Sequence, residues 1–117
     1  MALSWFEHRG RRILRNDLRD LSEAEAIAQL ENEIRLLEAE PAKVRVLVDV
    51  SDAPLHLGFV TRARALAPRI EARVERHAVV GATGLKAMLL AGFNLVSADV
   101  PLKPFPDEEA AKDYLAS

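Results

Sequence analysis

The residues best suited to do chemistry in this chain fall in two short runs. The first, Gly81-Ala82-Thr83-Gly84-Leu85-Lys86, has the glycines and the hydroxyl of a loop that opens a helix, where backbone N–H groups can hold an anion. Its spacing is neither that of a P-loop nor that of a dinucleotide fingerprint. Read without a ligand, Gly81 and Gly84 allow a tight turn and Thr83 caps the helix that follows. Lys86 then stands in the first helical turn, where the dipole disfavours a cation. A bound anion would relieve that conflict, and so would Asp49 or Asp52 nearby. The second run is Asp49, Ser51 and Asp52. Two carboxylates in a cleft suit a metal ion or acid–base work, whereas Asp-x-Ser-Asp ahead of a helix more often serves turns and caps.

The remaining polar residues offer less. His8, His56 and His77 have no mutual metal spacing and no His-Glu-x-x-His run exists, so they read as surface or strand histidines and no metal site is expected. Arg62, Arg69 and Arg73 would share one helix face if the chain stayed helical past Pro68, giving a solvated stripe or a surface for a phosphate or acidic partner. No nucleophile–base pair can be assembled, so no catalytic residue and no cofactor is assigned.

Periodicity supplies the elements that must position these residues. Arg9-Gly10 marks a hairpin turn between Trp5–His8 and Arg11–Arg15. Ser22 with Glu25 is a capping box that opens a helix whose apolar stripe is Ile27, Leu30, Ile34 and Leu37, with a wet, Glu-rich opposite face and a stop at Pro41. Val44 to Val50 alternates β-branched residues and reads as a strand. A second helix is expected from about Leu57 to Ala67, bent or broken by Pro68, and a strand from Arg73 to Val80. A third helix, Leu85 to about Phe93, is apolar almost all round and predicts burial or a partner. A last strand is expected from Val96 to about Lys103, then a helix capped by Asp107. Strands alternating with helices predict a mostly parallel sheet, with the turns after Val50 and Val80 on its carboxyl edge, where ligands of open α/β sheets usually sit.

Composition sets the outer bounds. At 117 residues, half of them apolar and 29% charged, the chain is expected to form one domain, residues 1–117. A net charge of −2 gives no field to recruit nucleic acid, and no apolar run is long enough for stable membrane insertion. With no cysteine, disulfides and thiolate metal sites are excluded. The N-terminal run lacks the order of a signal peptide, so a cytoplasmic location is expected.

The hairpin followed by Ile13-Leu14, the valine strand ending in Asp49, the run Ala78-Val79-Val80-Gly81-Ala82-Thr83-Gly84-Leu85-Lys86 and the terminal Phe105 through Leu115 together resemble the SpoIIAA-like family of small bacterial STAS-fold proteins. The family is related in fold to anti-sigma-factor antagonists and CRAL-TRIO lipid-transfer domains. The resemblance spans about Phe6 to Leu115 and implies an α/β fold: a mixed, mostly parallel sheet with an N-terminal hairpin and four helices packed on it. Anti-sigma-factor antagonists are switched at a serine after the central strand, in an Asp-Ser-Ser-Gly-like run. Ser51 holds that place, but Asp52-Ala53-Pro54 follows it, so its hydroxyl is expected to serve the turn. The resulting expectation is a non-enzymatic regulatory module acting through protein contacts, as a homodimer. The alternative is a carrier for a lipid or anionic small ligand of CRAL-TRIO-like type.

Overall fold

Arg9 (φ 52) and Gly10 (φ 78) both lie in the left-handed region, the geometry of a two-residue turn whose twist matches its flanking strands. They join β1 (Leu3–His8) to β2 (Arg11–Asp17) with His8 opposite Arg11. The structure, a computed structural model, describes residues 3–53, 57–84, 86–87, 90 and 100–117. Three further strands, β3 (Val44–Asp49), β4 (Val74–Val80) and β5 (Leu102–Phe105), complete a sheet of order β1-β2-β3-β4-β5. Every pair from β2 onward is parallel, and only β1 is antiparallel.

Parallel strands laid down in one direction with right-handed crossovers carry their connecting helices to one face. On that face α1 (Glu23–Ala39) and α2 (Leu57–Glu71) cover Leu14, Leu18, Val46, Val48 and Val79. The opposite face packs Ile13, Leu47, Ala78 and Val80 against Ala111 and Leu115 of α3 (Glu108–Ala116). Covered on both sides, β3 is buried at every residue, Arg45 and Asp49 included, although its alternating sequence resembles a half-exposed strand.

Local signals act where they were read. Ser22 and Glu25 form the reciprocal capping box of α1, and the Asp107 carboxylate accepts from Ala110 N at 2.8 Å to cap α3. The last turn of α3 has no basic residue of its own. Its terminal carbonyls are met from the sheet, Arg45 donating to Leu115 O and Ser117 O and Arg76 to Tyr114 O.

Three expectations are corrected. Pro68 does not break α2, which runs on to Glu71. The carbonyl deprived of a partner belongs to Arg64, exposed like Pro68 itself, and just past the helix end Ala72 N donates to Pro68 O at 3.2 Å. With the helix continuous, its arginines meet the acidic flank of α1 rather than an outside phosphate: Arg62 pairs with Glu31 at 3.2 Å and Arg69 with Glu38 at 2.7 Å. Arg73 donates to the carbonyls of Leu37 and Glu40. The last strand starts at Leu102, beyond Val100 and Pro101, and extends to Phe105. Glu33, on the apolar-stripe side of α1, is buried. The expected third helix lies largely outside the described residues, of which Lys86, Ala87 and Leu90 are helical; His56 and Val96 also lie outside them.

Candidate functional site

The loops after β3 and β4 do come together on the carboxyl edge of the sheet. Val50 N donates to Val80 O at 2.9 Å, and Gly81 (φ 87) sits so close to Ser51 that a Cβ there would lie 2.3 Å from the Ser51 hydroxyl oxygen. Asp49 Oδ1 accepts from Ser51 N at 2.9 Å, while Oδ2 lies 3.3 Å from Arg15 and 3.7 Å from Arg19. Lys86 Nζ donates to Val50 O at 2.8 Å, so its ammonium clamps the two loops together. Thr83 N, Lys86 N and Ala87 N donate to Gly81 O, Thr83 O and Gly84 O. Thr83 and Gly84 are exposed, as is Asp52, which turns the chain at φ 56. The groups singled out for an anion are therefore engaged largely with one another, as a clasp between β3 and β4.

Behind this clasp, between α1, α2 and the sheet, is a cavity of about 170 Å³. Its wall is mostly apolar, with Leu18, Leu30, Val48, Phe59, Val79 and Leu90 contributing, and the clasp residue Lys86 is part of it. Three buried polar side chains, Asn16, Glu33 and His77, line the same space.

Each arrives there for a structural reason. Asn16 alternates with Leu14 and Leu18 on the helix-facing side of β2. Glu33 lies four residues before Leu37 and three after Leu30, in the register of the buried stripe. His77 depends on a bulge. The β3–β4 register shifts between Val44, opposite Val74, and Arg45, opposite Arg76. Strict alternation from buried Val74 would aim His77 away from the helices; the extra residue brings it beside Val46 and Val79 instead. Glu75, the extra residue, is exposed and accepts from Arg45 at 3.0 Å.

The polar groups form an ordered but incomplete chain. Gln29 Nε2 donates to Asn16 Oδ1 and to Asp17 O, each at 2.6 Å, and Asn16 Nδ2 donates to Glu33 Oε2 at 3.0 Å. Among the described residues, Glu33 Oε1 and His77 Nε2 have no hydrogen-bond partner. Burial pushes the Glu33 carboxyl up to about 7, against the opposing pull of its bond from Asn16. Burial likewise pushes the His77 imidazole down to about 4. Both environments disfavour charge. His8, by contrast, lies at the hairpin and bonds Asp113 at 2.9 Å, far in sequence and role from His77.

This site was not among the residues singled out from sequence. Glu33, spaced three from Leu30 and four from Leu37, lies in the buried register of α1 and not on its wet, Glu-rich face. For His77 no local signal foretells the bulge that turns it inward.

No family model matches the chain, and no curated protein matches it. Among solved structures, it is similar to an uncharacterized protein of the DUF3478 family, with a SpoIIAA-like fold, from Shewanella loihica. The likeness covers 97% of this chain and 92% of that one, at a TM-score of 0.69 and 16% identity. With β2 to β5 parallel, an N-terminal hairpin on one edge and helices on both faces, the chain has a SpoIIAA-like fold.

Proposed function

We propose that this chain binds a small, largely apolar molecule in the cavity between its sheet and the α1–α2 layer, without transforming it. The observation that carries this reading is an apolar cavity of about 170 Å³ whose wall includes two buried polar atoms, Glu33 Oε1 and His77 Nε2, that have no hydrogen-bond partner among the described residues. A buried polar atom left without a partner costs about 1–3 kcal/mol, so one in a cavity wall is a cost that a bound ligand can remove. Native mass spectrometry of protein freshly purified from cells tests the reading. A stoichiometric adduct of low molecular mass, released on denaturation, is expected. A ligand-free protein whose melting temperature no small apolar compound raises would overturn it.

A second reading is a regulatory module acting through protein contacts, in which the chain pairs with itself. In its favour, β1 ends the strand order, so its outer edge has no neighbour among the described residues. On this reading, sedimentation at high micromolar concentration shows dimer, and monomer alone at that concentration counts against it.

A further inference from the structure

The proposal that the cavity holds an apolar molecule leaves the chemistry of that molecule open, and the walls restrict it. This inference rests on that proposal and narrows it.

Size comes first. An engineered apolar cavity of about 150 Å³ takes up benzene. At about 170 Å³, the space here suits one ring or a similarly compact body. Charge comes second. Glu33 and His77 are 2% and 8% exposed, and burial disfavours the charged form of both. Lys86, the cation among the described lining residues, already donates to Val50 O. A ligand carboxylate brought deep into the cavity would lose its hydration and meet another carboxyl, with no free cation among the described lining residues to offset either cost. Hydrogen-bonding capacity comes third. The atoms without a partner among the described residues are a carboxyl oxygen, which accepts when ionised and can donate when protonated, and an imidazole nitrogen whose role follows its tautomer. A hydroxyl both donates and accepts, so it satisfies either group in either state.

From these three restrictions we infer that the ligand is a compact, uncharged amphiphile, an apolar ring or short chain bearing a hydroxyl that bonds to Glu33 or His77 inside the cavity.

The test is a comparison of probes on the intact wild-type chain by calorimetric or NMR titration: 4-methylphenol, toluene, benzoate and palmitate. Toluene keeps the apolar body without the hydroxyl, benzoate replaces the hydroxyl with a charge, and palmitate is the long acyl chain. Binding of 4-methylphenol at least about tenfold tighter than toluene and benzoate is expected, because a site that bonds a hydroxyl rejects the analogue lacking it. Replacing whichever of Glu33 and His77 bonds the hydroxyl (Glu33→Leu or His77→Leu) is expected to narrow the preference over toluene, and the double Glu33→Leu/His77→Leu variant to abolish it. If toluene, benzoate or palmitate binds as well as or better than 4-methylphenol, the inference falls while the ligand-binding reading stands. If none of the four binds, the inference and that reading fall together. Because the ranking is measured on wild-type protein, a variant that fails to fold leaves the test intact.

Discussion

Replacing Gly81 with alanine is expected to destabilise the protein by about 3–5 kcal/mol, enough to unfold a marginal domain. Two effects act together. At φ +87 an L side chain is strained wherever it sits. The new Cβ would also lie 2.3 Å from Ser51 Oγ, 2.5 Å from Ser51 N and 2.6 Å from Ser51 Cα. Two of these three atoms are backbone, held by Ser51 N donating to Asp49 and by the adjacent Val50 N donating to Val80 O, so neither loop can give way alone. Removing the hydroxyl with Ser51→Gly should therefore rescue little. Gly84 is the control, at φ +57 with nothing within 4 Å of its missing Cβ, so Gly84→Ala should cost only about 1 kcal/mol. Urea denaturation of the two variants checks the contrast. Equal, small losses would mean that the clasp between the loops is not held as described.

The same clasp shows what sequence reading can and cannot reach. Asp49, Ser51, Gly81 and Lys86 could be brought to one edge from strand pattern and crossover handedness alone, because both are local or general rules. What Lys86 does there could not be read, since its partner is the carbonyl of Val50, thirty-six residues away in sequence. Ser22, Glu25, Asp107 and Arg9-Gly10 acted as read because a cap or a turn is closed by residues within a few positions of one another.

Pro68 illustrates the opposite case. A proline in a helix is a strong local breaker, yet here Pro68 and Arg64, whose carbonyl it leaves unpaired, are exposed, and the flanking Leu66, Ala67 and Ile70 are buried against the rest of the fold. Tertiary packing outweighs the local penalty. The bulge in β4 is also tertiary in origin. Arg45 reaches the carbonyls of α3 and the carboxylate of Glu75 together, and nothing within residues 74–77 announces that arrangement. The buried network of Gln29, Asn16 and Glu33 was half legible. Polar residues at core-facing positions of α1 and β2 are visible in the sequence, but that they satisfy one another appears only once helix and strand are packed.

That network leads to a pH signature that single substitutions should expose. Glu33 is an acid whose pKa is raised on folding, from 4.5 to about 7, so the folded state holds a proton that the unfolded chain releases. Its contribution to stability declines as pH rises from 4.5 to 7, by about 3 kcal/mol. His77 is a base whose pKa is lowered on folding, from 6.5 to about 4, so the unfolded chain takes up a proton that the folded state refuses. Its contribution declines as pH falls from 6.5 to 4, again by about 3 kcal/mol. Across that range the two slopes have opposite sign and nearly cancel. The wild-type protein should therefore show little pH dependence from this pair between about pH 4.5 and 6.5. The other groups around them do not blur the window. Asn16 and Gln29 do not titrate. Asp17, Glu38 and Glu75 are held low by Arg19, Arg69 and Arg45, and the stability they add is lost as pH falls through the ordinary carboxylate range and below it, a background common to all four proteins. With His77→Leu the glutamate stands alone, and stability should fall as pH rises from 4.5 to 7. With Glu33→Gln the histidine stands alone, and stability should fall as pH drops from 6.5 to 4. The double variant should return to a flat profile. Chemical denaturation at half-unit pH steps measures all four. Parallel profiles for wild type and both single variants would show that neither group is buried as the cavity wall requires.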